Sequence, residues 1–183
     1  MNWFFYKSRM EEFKLSYEVE IAQLKTVEES INQLSDLLMK TVAAGASIGF
    51  LPPMNLSQAK EYWERVLEPS VILLIAKVNQ EIAGSVQLHL CTKQNGRHRA
   101  EIAKLITHPD FRRKGIARLL MQKAEERAKQ EKRSLLVLDT REGDVSNQLY
   151  LSLGYIECGR IPYFAESAEG KLDTTVVYYK TFS

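Results

Sequence analysis

Apolar positions along the chain switch between two periods. Residues 17–24 alternate and predict a first strand. Residues 27–44 carry Ile31, Leu34, Leu37, Leu38 and Val42 at the three-and-four spacing of one helix face. Gly45 suits the end of that helix. The stretch Gly45-Ala46-Ser47-Ile48-Gly49-Phe50-Leu51-Pro52-Pro53-Met54 is apolar, but its glycines and prolines forbid a regular element, so it reads as a loop. Ser57 is then placed as the cap of a second helix that runs to about residue 67.

Two β-rich runs, 71–78 and 81–91, flank Asn79-Gln80 and predict a hairpin. A polar loop with Asn95-Gly96 leads to a strand over 98–107. His108-Pro109 ends it, because proline disfavours helix in the residue before it. Residues 115–130 place Ile116, Leu119, Leu120, Ala124 and Ala128 on one helix face. Residues 134–138 form a short apolar strand of the buried kind. A helix over 144–153, closed by Gly154, and strands over 155–160 and 174–182 complete the order. Such an order predicts a mixed sheet with helices on its faces. No repeat or low-complexity linker divides it. One domain is expected over 17–183, with 1–16 as an extension that packs on it or frays.

Composition narrows the chemistry. The 183 residues are 45% hydrophobic and 26% charged, which excludes general disorder. Lys plus Arg is 25 and Asp plus Glu is 23, so the formal net charge is +2 and no nucleic-acid partner is expected. Arg97, His98 and Arg99, taken with Arg112, Arg113 and Lys114, lack the interleaved aromatics of a nucleic-acid surface. Cys91 and Cys158 are too few for a disulfide framework and read as small buried residues. His89, His98 and His108 lack metal-ligand spacing, and His108 reads as a surface loop residue, so no metal is expected. The run Trp3-Phe4-Phe5-Tyr6 is too short for a signal-peptide core, and no stretch approaches a membrane span. A cytoplasmic protein without a membrane partner is the expectation.

The informative stretch is Phe111-Arg112-Arg113-Lys114-Gly115-Ile116-Ala117, between a strand and the start of a helix. The first N–H groups of a helix have no partner within it and point out along its axis. The helix dipole adds partial positive charge there, about 0.3–1 kcal/mol per nearby anion. Small residues at Gly115 and Ala117 let a ligand reach the backbone, and three basic side chains add full charge. A pyrophosphate fits such a turn. The same residues also read as an ordinary basic helix start. The G-x-G-x-x-G fingerprint is absent, and Lys114 precedes Gly115 in a way that does not fit a Walker loop.

Arg112-x-x-Gly115-x-Ala117 resembles the Q/R-x-x-G-x-G/A signature of the GNAT superfamily of N-acetyltransferases. The flanks agree. The strand Ala100-Glu101-Ile102-Ala103-Lys104-Leu105-Ile106-Thr107 precedes it. Leu149-Tyr150-Leu151-Ser152-Leu153-Gly154-Tyr155 follows, like the family's L-Y-x-x-x-G-[FY]. The 45–54 loop, residues 138–144 and Gly159-Arg160-Ile161-Pro162-Tyr163 look like the branch that holds the tabtoxin-resistance acetyltransferases. The resemblance implies an α+β fold of the GNAT type. Its sheet is seven-stranded, mixed, mostly antiparallel and splayed at the middle, with helices on both faces. It also implies acetyl-CoA as co-substrate, a primary amine as acceptor and direct attack of one on the other.

Roles follow from the same resemblance, position by position. Arg113, Lys114, Gly115, Ile116, Ala117 and Arg118, with Arg112 before them, match the pyrophosphate cradle. Leu105, Ile106 and Thr107 match the strand end that pairs with pantetheine, the backbone N–H of Leu105 facing the thioester oxygen. The side chains of Leu105 and Thr107 also read as core. Glu101, six residues before Thr107, matches the base glutamate of histone-type members. Asp139 ends the next strand toward the same cleft. An alkylamine with a pKa near 10.4 is protonated at pH 7, and freeing it costs roughly 4–5 kcal/mol. The two carboxylates take that proton through water or hold the ammonium; both also read as solvated residues. Tyr150 matches the tyrosine that donates to the departing sulfur, against a plain core aromatic. Many relatives have Asn seven residues before this Tyr, where Gly143 stands here; Asn147, one helical turn from Tyr150, is the candidate replacement, against a plain solvated helix residue.

Acceptor choice is expected in the 45–54 loop and the 162–172 segment, with Phe50, Tyr163 and Phe164 walling a small pocket or merely covering the sheet edge. A small-molecule amine is the leading acceptor. A protein or peptide acetyltransferase and a non-catalytic acyl-CoA-binding module are the rivals; a pure binder has no need of Glu101 and Tyr150. Homodimers are frequent in the family.

Overall fold

The computed structural model describes residues 18–182; the expected extension at 1–16 lies outside them. In chain order the elements are β1 (Val19–Leu24), α1 (Ile31–Ala43), α2 (Leu56–Glu64), β2 (Val71–Val78), β3 (Glu81–Leu90), β4 (Arg99–Thr107), α3 (Ile116–Gln130), β5 (Leu135–Arg141), α4 (Ser146–Ser152), β6 (Ile156–Glu166) and β7 (Leu172–Thr181). Short 3-10 turns precede α1, β4 and α3.

The strands form one seven-stranded sheet in the order β1-β2-β3-β4-β5-β7-β6. Every neighbouring pair is antiparallel except β4 and β5. Those two run parallel and pair only at Arg99–Leu135, Ala100–Leu136 and Glu101–Val137. Beyond that point they diverge, so the mixed sheet is splayed at its middle. Each face carries its own core. Ile116, Leu120, Met121 and Ala124 of α3, with Tyr150 of α4, pack on Val86, Leu88, Ala100, Ile102, Leu136 and Leu138. Leu34, Leu37, Leu38 and Val42 of α1, with Ala59 and Trp63 of α2, pack on Leu73, Ile75, Ile82 and Ile106. Because both faces are covered, β2 is apolar at consecutive positions and Ile72–Ala76 is buried throughout.

A bulge in β4 sets up everything that follows. Ser85 pairs with Ile106 and Gln87 with Ala103, so Val86 alone faces two residues, Lys104 and Leu105. Lys104 takes the left-handed conformation, φ 51°. An extra residue reverses the alternation of the strand. Ile102 therefore packs in the α3 core, while Ile106, four residues on, packs in the α1–α2 core.

Several expected boundaries move. The cap of α2 is Asn55, not Ser57. The Asn55 side chain accepts from the Gln58 N–H, and the Gln58 side chain accepts from the Asn55 N–H, each at 2.9 Å, a capping box. β5 continues to Arg141 because β7 pairs with it that far. The 162–172 segment is not a loop: β6 runs on through Glu166 and a tight turn joins it to β7. β6 is an edge strand, where Pro162 breaks no ladder, and residues 162–164 bulge out with Tyr163 at φ 57°. Cys158 is exposed, not buried, since it sits at the other register shift of that edge strand; Cys91 is half-buried. His108 is buried beneath the surface loop to which it was assigned, edge-on to Phe111 with Nδ1 accepting from the Asp110 N–H.

Candidate active site

The splay between β4 and β5 opens two cavities that meet. The first, about 520 Å³, is lined by Leu105, Ile106, Thr107, Arg112, Arg113, Gly115, Ile116, Ala117 and Arg118, and closed on the far side by Val145, Ser146 and Leu149. Gly115 caps α3 in the left-handed region at φ 76°, and no side chain caps the helix. Arg113 is also left-handed at φ 63°. The turn thus aims the first N–H groups of α3 at the cavity, and a Cβ on Gly115 would meet only open space. Exposed Arg112 and Arg113 add positive charge there. Arg118 reaches across to the hydroxyl of Ser152 in α4, 2.7 Å away. Lys114 does not line this cavity; its ammonium lies over the Phe111 ring, 4.9 Å from the centroid.

The second cavity, about 320 Å³, lies between β4, β5, β7 and the 45–54 loop. Glu101, Lys104, Asp139, Tyr150, Phe164 and Thr175 line it. Glu101 is paired with Val137, and Asp139 stands two residues along β5, so both carboxylates leave the same side of the sheet. Asp139 accepts from the Thr175 hydroxyl at 2.7 Å, which also contacts the Thr140 carbonyl at 3.0 Å. Leu105 and Arg141 line both cavities, one on each bank of the splay. Arg141 is held by Asp144 at 3.8 Å and Asp173 at 3.7 Å.

Tyr150 is buried edge-on to Tyr155, with ring centroids 6.0 Å apart, and tilted on Tyr178 at 5.8 Å. Burial, reinforced by the Asp144 carboxylate, pushes its phenol well above 10, so the hydroxyl stays a donor at neutral pH. Asn147 lines neither cavity. Its amide donates to the carbonyls of Arg141, at 2.9 Å, and Asp144, at 2.8 Å, and accepts from the Tyr178 hydroxyl at 2.7 Å. With both N–H groups engaged, it braces the turn between β5 and α4.

Of the aromatic residues assigned to the acceptor side, Phe164 lines the second cavity, Phe50 backs it from behind the loop, and Tyr163 points to solvent. The sequence reading missed Lys104. Its ammonium enters the same cavity and donates to the Ile48 carbonyl at 2.6 Å. Burial lowers its pKa below 10.5, while Asp139 and Glu101 oppose that shift. It also missed a chain of contacts behind Glu101: His89 with Gln87, and Gln87 with Tyr62. Lysine in a strand with two buried isoleucines was the available signal for the first; no signal short of strand register marked the second. Among the described residues, no group of three or more His, Cys, Asp or Glu could hold a metal ion, and no helix is long and apolar enough to cross a membrane.

Known proteins agree with this arrangement. The profile of the Acetyltransferase (GNAT) family matches residues 41–155. An uncharacterized N-acetyltransferase in the hisH-hisA intergenic region of Azospirillum brasilense is 30% identical over 129 residues, covering 68% of this chain and 77% of that protein. A ribosomal-protein-alanine N-acetyltransferase from Brucella melitensis superposes with TM-score 0.76 at 19% identity, covering 89% of this chain and 99% of that one. An acetyltransferase from Salmonella typhimurium, solved with its cofactor acetyl-CoA, gives TM-score 0.75 at 15% identity, over 90% of this chain and 94% of that one. A helix start stripped of any side-chain cap, at the mouth of a cavity that opens between two diverging parallel strands, suits the pyrophosphate and arm of that co-substrate. The chain belongs to the GNAT family and is an acetyl-CoA-dependent N-acetyltransferase.

Proposed function

We propose that the protein acetylates a primary amine on a small molecule, such as an antibiotic, a toxin or an amino-acid-like metabolite. The observation that carries this is the second cavity, which is small, about 320 Å³, and roofed by the 45–54 loop. That volume lies at the lower end of small-ligand pockets, roughly 300–1,000 Å³. The ribosomal-protein enzyme among the structural neighbours shares the fold at 19% identity and so does not bear on the acceptor.

In this reading acetyl-CoA supplies the thioester-activated acetyl group. The α3 turn at 113–118 holds its pyrophosphate, and the Leu105–Thr107 backbone aligns its arm. The N–H of Leu105, turned by the bulge, donates to the oxygen that gains charge during attack. Glu101 and Asp139 draw in the ammonium, and Glu101 removes its proton. Tyr150 donates a hydrogen bond to the sulfur as charge develops there. Full proton transfer from even an ordinary phenol to a thiolate is uphill by about 2 kcal/mol, and the raised pKa of Tyr150 makes it steeper, so a hydrogen bond is the easier role.

The test is thiol release from acetyl-CoA over a panel of small amines, amino acids, aminoglycosides, tabtoxin and peptides. Acetylation of a small amine with Glu101→Gln impaired supports the reading. Turnover confined to peptides replaces it with a protein acceptor, and CoA binding without release for any acceptor replaces it with a binding module.

A further inference from the structure

Arg141 carries a charge that the acetyl transfer leaves unused. Its side chain is 28% exposed and lies near two carboxylates, Asp144 at 3.8 Å and Asp173 at 3.7 Å. Both separations are longer than a hydrogen bond. Asp144 also accepts from the Ser146 N–H, 2.8 Å away. No side-chain N–H of Arg141 donates a hydrogen bond to any described residue. A guanidinium has five such donors in a planar fork and keeps its charge at any working pH. Asp144 and Asp173 thus balance the charge, while the fork stays open. Arg141 borders both cavities of the splay. It also borders a third, about 220 Å³, between the 45–54 loop and the turn that joins β6 to β7, where Glu166 is the acid in the lining.

The charges of the second cavity are ordered along the two strands. β4 and β5 part beyond the Glu101–Val137 rung. Glu101 stands at that fork, and Asp139 is two residues past it on β5. Lys104 follows Glu101 by three residues. Arg141 follows Asp139 by two, about 7 Å along the strand and on the same side of it. Each bank therefore carries an acid near the fork and a base farther out, and all four residues line one cavity. Lys104 spends an N–H on the Ile48 carbonyl, so Arg141 is the base with its donors free.

We propose that Arg141 is a specificity-determining residue that takes a carboxylate of the acceptor. The acceptor is then an amino-acid-like zwitterion, its ammonium toward Glu101 and Asp139 and its carboxylate on the Arg141 fork. This rests on the acceptor being a small-molecule amine. A planar carboxylate matches a guanidinium through two parallel N–H···O bonds. An amine without a carboxylate leaves those donors to water in a part-buried site. An amine with a second ammonium sets like charge against Lys104 and Arg141.

The test measures kcat/KM for thiol release from acetyl-CoA with the proteinogenic amino acids as free acids, with their α-carboxamides and decarboxylated amines, and with putrescine. The best free acid is expected to exceed its own carboxamide by roughly ten- to a hundredfold, the effect of a hydrogen bond to a charged group. In Arg141→Met that ratio falls to about one. In Arg141→Lys, which keeps the charge without the fork, it falls part of the way. A variant that folds poorly loses turnover with acid and carboxamide alike, so the ratio still reads the contact. A wild-type ratio in Arg141→Met overturns the assignment, and so does a wild-type enzyme that prefers carboxamides, decarboxylated amines or putrescine; either leaves a small-amine acetyltransferase standing. A raised acetyl-CoA KM with an unchanged ratio moves Arg141 to the co-substrate and also overturns it. No turnover with any of these amines overturns the small-molecule acceptor and the assignment together.

Discussion

The Lys104 ammonium donates to the Ile48 carbonyl 2.6 Å away and so ties the bulge of β4 to the loop that roofs the second cavity. The same ammonium lies 5.4 Å from the Phe50 ring centroid, and Phe50 stacks edge-on against Tyr62 at 5.0 Å. Contacts therefore run from Lys104 through Phe50, Tyr62 and Gln87 to His89, whose register partner on the next strand is Glu101, three residues before Lys104.

Lys104→Met keeps most of the stem and removes the tether. A hydrogen bond from a charged donor contributes about 1.5–3 kcal/mol, so the KM for the amine is expected to rise at least about tenfold. The acetyl-CoA KM stays near wild type, because Lys104 does not border that cavity. Steady-state kinetics with each substrate varied in turn checks both.

The same residue shapes stability against pH. Burial lowers the folded-state pKa of Lys104 below 10.5, so between that value and 10.5 the unfolded chain binds more protons than the folded one. Stability from this group rises with pH across that window; the penalty is complete below it and gone above it. The difference between wild type and Lys104→Met in urea unfolding should move in favour of wild type toward alkaline pH. A flat difference contradicts the assignment.

Gly84→Ala puts a methyl group where there is no room. Its Cβ would stand 2.7 Å from the Ile106 carbonyl oxygen and 3.1 and 3.2 Å from the Leu120 and Ile116 side chains. The carbonyl is backbone and cannot swing aside, so β4 and the start of α3 must move. A loss of about 1–3 kcal/mol is expected by chemical denaturation. A raised acetyl-CoA KM should accompany it, since Ile106 and Ile116 border the first cavity, proposed to hold the co-substrate.

Tyr150→Phe keeps the ring and its packing. Loss of one well-placed donor to developing negative charge costs about 10²-fold in kcat, with both KM values little changed. The raised pKa of Tyr150 keeps the phenol protonated, so the deficit is the same at neutral and mildly alkaline pH. A deficit that fades as pH rises would rule out the donor role.

Lys180 holds a buried charge on the opposite face. Its ammonium donates to Glu125 Oε2 and to the Leu153 carbonyl, each at 2.7 Å. Lys180→Met strands Glu125 and is expected to cost about 3–5 kcal/mol in thermal or urea unfolding. Pairing it with Glu125→Leu should recover most of that loss.

What could be read from the sequence was whatever depends on local order. Gly115 between a strand and an amphipathic helix marks the turn, whereas the side shared by Glu101 and Asp139 depends on the pairing of Glu101 with Val137. Lys104 was hidden because alternation places it opposite Glu101; the bulge that turns it is a property of pairing with β3. His89 facing Glu101 likewise needs strand register. Asn147 looked like an exposed helix residue because its partners are two carbonyls and a tyrosine 31 residues away. Pro162 suggested a loop because nothing local says that β6 lies at an edge. The Asn55–Gln58 spacing fits a capping box, which placing the cap at Ser57 overlooked.

Three rungs are all that join β4 to β5. Any parting of these strands widens both cavities at once, because Leu105 on one bank and Arg141 on the other border each of them. A molecule that parted the strands from one cavity would therefore change the width of its neighbour. Such coupling is reciprocal: whatever factor acetyl-CoA adds to amine affinity, the amine returns to acetyl-CoA. The short seam thus makes any coupling between the two cavities a property of the β-sheet.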